Sequence, residues 1–410
     1  VVIVGAGPAG AALAVLLARA HVPVALVEAS TTFSRQFRGE ALMPSGVAAL
    51  ERLGLWPLAA SIPQRPLGAW SFYVNGRLLF EQDEPMGSAH PCTLVDQEAF
   101  LPALVEIARQ APTCQWYPGQ SVTGLCRAEG VLEPGQTPAN SRITGVTLGD
   151  GTTLPADLVV GCDGRASRLR PWADLPLQAL PSPLDVLWFR LADSDASAAL
   201  GEWVGERFAT LVGDGGSFAL FRSAAGPLQL GWAIPAPSQD ESMPSSPLPW
   251  PERWARASPR ELADLLRRLP LSAITGPVRL PVRVGRCARW HRPGLLLLGD
   301  AAHPLSPLRA QGMAMALRDA EVAAELLLPA LRATPTEPLA IDAAVARIAE
   351  RRQPEISVIQ RLQHQETQRA DLLRRHAGLR QVLALSAPWS GPLLAHHWLG
   401  QQRILRDGLP

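Results

Sequence analysis

Val1-Val2-Ile3-Val4-Gly5-Ala6-Gly7-Pro8-Ala9-Gly10 opens the chain, and the order of residue types in this stretch decides the fold. Residues 1–4 are a short apolar, mostly β-branched run, and residues 9–20 carry good helix formers, with the glycines between them. The pattern reads as strand, tight turn and helix. Residues 22–27 make a second apolar strand, so the chain begins with a βαβ unit, whose crossover is right-handed. Gly5, Gly7 and Gly10 fit G-x-G-x-x-G. The first glycine permits the turn, the second lets backbone N–H groups approach a pyrophosphate, and the third lets the helix close on the strand. Ala9 stands at the start of the helix, where partial positive charge favours phosphate. Glu28 follows the second strand, in position to accept hydrogen bonds from a ribose. Together these features specify a dinucleotide and leave both NAD and FAD open.

Composition narrows the field. The 410 residues are 47% hydrophobic, enough for a large α/β unit with a smaller second lobe. A net charge of +1 with no basic block gives no sign of a nucleic-acid partner. All 38 cationic residues are Arg, so no mechanism needing a lysine amine is available. Five cysteines without CxxC spacing fit a reducing cytoplasm better than a disulfide scaffold, and Cys287 with His291 is too small a set for a metal site, so no metal is expected. No apolar run reaches the roughly 18 residues of a membrane span.

Further along, apolar residues recur at helical spacing over residues 41–53 and 97–109. Residues 146–148 and 152–154 flank Gly149-Asp150-Gly151 and read as a hairpin. Residues 130–141, 181–183 and 238–251 are rich in Pro, Ser or Gly and read as irregular connections. Between residues 184 and 284 short alternating segments suit an antiparallel sheet. Parallel-sheet character returns at 294–298, a helix is expected from about Gln311, and the end of the chain is helical.

Three further segments resemble the FAD-dependent monooxygenases of the p-hydroxybenzoate hydroxylase type. Asp157-Leu158-Val159-Val160-Gly161-Cys162-Asp163-Gly164, followed by Arg165-Ala166-Ser167-Arg168-Leu169-Arg170, is similar to the family's DG motif. Residues 294–300, ending in Gly299-Asp300 and continuing to His303 and Pro304, are similar to its GD motif. Arg38-Gly39-Glu40 resembles the segment whose arginine lies near the flavin, and Gln97 stands where the family has an Arg or Gln against FAD. The resemblance implies an α/β fold with a glutathione-reductase-like FAD-binding Rossmann domain, an inserted antiparallel-sheet substrate domain and C-terminal helices. The expected division is an FAD-binding part from residues 1–68, 96–180 and 285–330, a substrate part from 69–95 and 181–284, and a helical region over 331–410. Two departures stand out: Ala29 replaces a common Arg, for which Arg35 is a substitute, and Ala310-Gln311-Gly312-Met313-Ala314 replaces a GxGxN pattern.

The resemblance implies FAD as cofactor, contacted by Gly5, Gly7, Ala9, Gly10, Glu28, Arg38, Gln97, Asp163, Gly164, Gly299, Asp300, Gln311, Gly312 and Met313. It also implies NAD(P)H as cosubstrate, O2 adding at flavin C4a, and hydroxylation or epoxidation of a small aromatic or apolar substrate. Arg38, His303 and Pro307 are the candidate catalytic residues. The cofactor carries the hard chemistry while the protein orients and excludes water. A flavin saturase or dehydrogenase on a prenyl or polyketide-type substrate stays open. A halogenase is disfavoured because Gly231-Trp232-Ala233-Ile234-Pro235 holds one tryptophan of a two-tryptophan motif and lysine is missing. A non-catalytic flavin-binding protein is the remaining reading. Trp188, Trp203, Trp232 and Tyr73 line a substrate cavity or fill the core, and residues 382–399, interrupted by Pro388, Gly391 and Pro392, pack on the body, cap the cavity or touch a membrane surface.

Overall fold

Val2–Val4 lies inside a six-stranded sheet ordered His291–Arg292, Leu295–Leu297, Val159–Gly161, Val2–Val4, Val24–Glu28 and Cys114–Pro118, in a computed structural model that describes residues 1–34, 39–127, 130–132, 141–214, 216–236 and 248–409. Every pair is parallel except the first. Val2–Val4, Val159–Gly161 and Leu295–Leu297 are buried throughout, which is why they read as unbroken apolar runs. The helix Pro8–Arg19 follows the turn and packs on the helices Gln97–Arg109 and Gln311–Leu331.

Helix Gln97–Arg109 has the expected bounds because Asp96 caps it, accepting from Glu98 N at 2.9 Å. The helix expected over 41–53 is shorter, Pro44–Arg52, and Ala41–Leu42 is a strand paired with Thr93–Val95. Pro44 is the cause: it favours the first helical position and holds Met43 extended. Ile143–Leu148 and Thr153–Pro155 pair antiparallel about Gly149-Asp150-Gly151. Residues 35–38, which include Arg35 and Arg38, lie outside the described residues.

A second, seven-stranded sheet runs Ile274–Leu280, Leu184–Leu191, Leu228–Pro235, Gly216–Arg222, Arg207–Gly213, Ala69–Val74 and Arg77–Asp83. It is antiparallel except where Ala69–Val74 runs parallel to Arg207–Gly213. Helices Asp195–Val204, Trp250–Ala255 and Arg260–Arg267 lie in the same stretch of chain, which the alternating pattern did not signal.

Two long helices, Pro338–Arg375 and Ala377–Asp407, end the chain. The second runs unbroken through Pro388 and Pro392, against the expectation of an interruption. Ser386 and Ser390 hydroxyls bond back to the Leu383 and Ser386 carbonyls of the same helix. Gly391 lets this helix press on the strand Arg77–Asp83, since a Cβ there would collide with the Leu79 carbonyl. Among the described residues no helix is long and apolar enough to cross a membrane.

One buried carboxylate ties the layers together. Asp319, in Gln311–Leu331, accepts from Gly299 N (2.9 Å), His303 Nε2 (2.6 Å) and Arg352 Nε (2.7 Å), and Arg352 also pairs with Glu355. Burial pushes its pKa up, but the charges and hydrogen bonds of His303 and Arg352 outweigh this and hold it down at about 2. Removing one partner of such a group strands the other charge. Asp319→Ala should therefore cost about 3–5 kcal/mol in urea unfolding followed by circular dichroism. Because the folded-state pKa is depressed, this stabilisation is complete above the ordinary carboxylate value and is lost as pH falls through it toward about 2. A cost under about 1 kcal/mol would show that the network is dispensable.

Candidate active site

The three glycines of the first turn do different things. Gly5 has φ +100°, and a Cβ on it would strike the Cys162 carbonyl of the neighbouring strand segment. At Gly10 the obstacle is the Gly5 carbonyl, so the helix sits directly on the turn. Gly7 is the opposite case: nothing lies within 4 Å of the position its Cβ would take, and it faces a cavity. The helix Pro8–Arg19 has no side-chain cap, so its first N–H groups are available to an acceptor. A dinucleotide pyrophosphate fits this arrangement, with its close approach at Gly7 and the helix N-terminus behind it.

The cavity holds about 1340 Å³. That exceeds the roughly 300–1,000 Å³ of a site for one drug-sized ligand. Gly5, Gly7, Ala9, Glu28, Gln97, Asp163, Gly164, Gly299, Asp300, Pro307, Gly312 and Met313 all line it. The Glu28 carboxylate is buried and accepts from Ala6 N (2.8 Å) and Ser30 N (3.0 Å), which fixes the turn to the end of its strand. Gln97 donates to the Gly39 carbonyl, holding the chain just after the Arg38 segment. Asp163 accepts from Arg168 N (2.8 Å) and Leu169 N (3.3 Å), and burial raises its pKa. Asp300 pairs with Arg165 Nε at 2.9 Å, and Arg170 donates to the carbonyls of Ala301 and Arg165. The DG and GD segments are thus one latched unit. Gly312 has open space at its Cβ position, as Gly7 does, at the N-terminus of helix Gln311–Leu331.

Three sequence expectations change. His303 does not line the cavity; it is 1% exposed, bonded to Asp319 and set against Trp290 at 4.8 Å. It braces the GD turn. Gln311 is also outside the lining, fully buried, with Nε2 donating to the carbonyls of Arg309 (2.9 Å) and Leu405 (2.7 Å). Its side chain braces the loop. Gly10 lies off the lining, where its missing side chain lets the helix sit on the turn.

At its other end the cavity is walled by a run of rings. Neighbouring centroids are 6.0 Å apart for Trp188 and Phe221, 5.0 Å for Phe221 and Phe208, and 4.8 Å for Phe208 and Trp70. The run continues through Trp398 and Phe72 (5.1 Å apart) to Phe80 at 4.5 Å from Phe72. Trp188 donates to Gln229 (2.8 Å), which donates to Glu40 (2.7 Å), so the segment after Arg38 is tied to the large sheet. Burial raises the Glu40 pKa despite bonds from Ala224 N and Gln229. Of the other aromatics singled out, Tyr73 lines the cavity, whereas Trp203 sits beside Tyr73 and Trp232 is core stacked on Phe218. Sequence reasoning missed Arg309, Glu366 and Trp398, which all line the cavity and come from three separate elements.

The turn, the latched DG and GD segments and the ring-lined chamber define a flavoprotein oxidoreductase. The chain belongs to the FAD binding domain family, whose model matches residues 1–351, and within it to the class A FAD-dependent monooxygenases, with FAD as cofactor. The 6-methylpretetramide 4-monooxygenase of Streptomyces rimosus is 33% identical over 370 residues, covering 88% of this chain and 82% of that one. The ubiquinone hydroxylase UbiL of Rhodospirillum rubrum is 27% identical over 346 residues, covering 81% and 73%. The crystal structure of Pseudomonas aeruginosa PqsL in complex with 2-aminobenzoylacetate shares the fold at TM-score 0.73 and 24% identity, covering 93% and 97%.

Because Gly7 is surrounded by open space and has φ −69°, Gly7→Val should fold normally yet purify colourless. Matching circular dichroism with loss of the flavin absorption is the expected result; a fully yellow Gly7→Val protein would remove the turn from the cofactor site.

Proposed function

We propose that this protein uses NADH or NADPH and O2 to hydroxylate a planar, largely apolar aromatic compound, with a polycyclic phenol of polyketide type as the best-supported substrate class. The observation that carries the reading is the continuity of one cavity from the open glycine turn to the run of stacked rings. The similarity to a 6-methylpretetramide 4-monooxygenase supports the same class.

The residues divide the work along the cavity. Gly7 and the uncapped helix N-terminus receive the pyrophosphate, Glu28 orders the adenosine end, and Asp300, freed from or shared with Arg165, meets the ribityl hydroxyls. Gly312 and Met313 bring the positive end of a helix to the flavin ring edge, where negative charge is favoured. Bound FAD supplies reduction by a nicotinamide and activation of O2. The aromatic wall holds a flat substrate and excludes water, and Pro307 shapes the junction of the two ends. Arg38 is the proposed cation for nicotinamide-dependent reduction, and its Ala variant would separate that step from FAD binding.

The test is anaerobic mixing of the purified yellow protein with NADH and with NADPH, with and without polycyclic phenols, followed by isotopically labelled O2. Faster bleaching with one compound, and label recovered in that compound, is the expected outcome. A yellow protein that neither nicotinamide reduces would overturn the reading in favour of a reductase or saturase fed by another donor.

A further inference from the structure

Arg309 lies in the gap of the loop after Pro307, where no motif asks for a cation. Its backbone is left-handed (φ 61°, ψ 19°), and so is that of Ala310 (φ 47°, ψ 43°). Two successive left-handed residues other than glycine are unfavourable and persist only where the surroundings impose them. Here the surroundings do so. Gln363 Nε2 donates to the carbonyls of Ser306 (3.0 Å) and Leu308 (2.7 Å), and Gln311 Nε2 to that of Arg309.

This turn sends the Arg309 side chain into the cavity among three rings, 4.7 Å from the centroid of Trp398, 5.2 Å from Phe72 and 5.3 Å from Trp70. The side chain is 9% exposed, and Nε donates to Glu366 at 2.6 Å. Glu366 is itself oriented by Gln402 at 2.7 Å. Among the described residues nothing accepts from Nη1 or Nη2. Ring faces attract the guanidinium charge but do not replace an oxygen acceptor, so both terminal nitrogens are open to a ligand in the cavity. A planar ligand bearing two conjugated oxygens satisfies that fork in a bidentate manner. Arg369, also on the lining, adds positive charge at the same end.

We infer that Arg309 anchors the substrate by a delocalised oxyanion, a carboxylate or the enolate of a 1,3-dicarbonyl, carried on a planar aromatic frame. Naming that ligand a substrate rests on the monooxygenase reading above; the anchor itself is a property of the cavity. Glu366 holds the guanidinium in place and competes with the ligand for its charge. Trp398 and Phe72, themselves 5.1 Å apart, lie on one side of the cation, so the oxyanion enters from the cavity and the aromatic frame extends along the ring wall. Arg309 is a positioning residue, not one that exchanges a proton.

Calorimetric titration of the FAD-loaded protein tests this with three probes: anthracene-2-carboxylate, its neutral carboxamide, and the enolate of 2-acetylindane-1,3-dione. One or both anions should bind about 10-fold or more tightly than the carboxamide, the usual size of a charged hydrogen-bonding preference. Which anion is the tighter tells the two oxyanion sources apart. Arg309→Met should abolish the preference and leave carboxamide binding within about 3-fold, as expected when only the charged contact is removed. Glu366→Gln should tighten anion binding by removing the competing carboxylate. Equal binding of acid and amide by the native protein overturns the anchor, as does a preference that survives Arg309→Met. If Arg309→Met does not retain FAD, Glu366→Gln decides, because unchanged or weaker anion binding there contradicts the assignment. Anion preference without oxygen transfer to any ligand sinks the monooxygenase reading and leaves the anchor standing; transfer to neutral polycycles with no anion preference does the reverse.

Discussion

The close seating of helix Pro8–Arg19 on its own turn is the constraint from which the rest of the site follows. With no side chain on Gly5 or Gly10, the helix drops onto the end of Val2–Val4, and the same turn abuts the Cys162 carbonyl beyond Val159–Gly161. Any Cβ at either position would lift the helix and part the sheet from it. Because those two glycines are spent on packing, Gly7 alone is left with open space in front of it. A phosphate-sized opening at an uncapped helix N-terminus is then a consequence of how tightly the flanking residues pack.

From that point the site is held by charges placed behind it. Asp319 fastens the Gly299 turn to two helices, while Arg165 and Arg170 fasten the DG segment to the GD segment. His303 belongs to this scaffolding. Its burial and its 2.6 Å bond to Asp319 take it out of reach of the cavity and make it part of what keeps Asp300 presented there. Paired buried charges such as Asp319 and Arg352 fix an arrangement more than they add net stability. A flavin site gains from that, since a preorganised environment need not reorganise as charge develops on the ring.

Most of the cofactor end was legible in the sequence, because its determinants are local. A glycine turn between an apolar strand and a helix, and an aspartate after a buried strand, keep their meaning wherever the chain goes next. The substrate end was not legible for the converse reason. Arg309, Glu366 and Trp398 meet only because helices Pro338–Arg375 and Ala377–Asp407 pack back over the large sheet, and no spacing encodes that. Residues 388–392 misled in a related way. Prolines stop an isolated helix, but here tertiary packing holds it, with Gly391 seating the helix on Leu79. Gln311 shows the limit of motif transfer: the position is right, but its amide faces Leu405 and the loop, away from the cavity.

The proposed function rests on the first turn gripping the adenosine and pyrophosphate end of FAD. Titration of flavin-free protein with FAD, with riboflavin, and with FAD in the presence of ADP measures this directly. ADP should compete with FAD, and riboflavin should bind far more weakly than FAD. Riboflavin binding as tightly as FAD, with no effect of ADP, would contradict the assignment of Gly7 and the helix N-terminus as the grip on the cofactor.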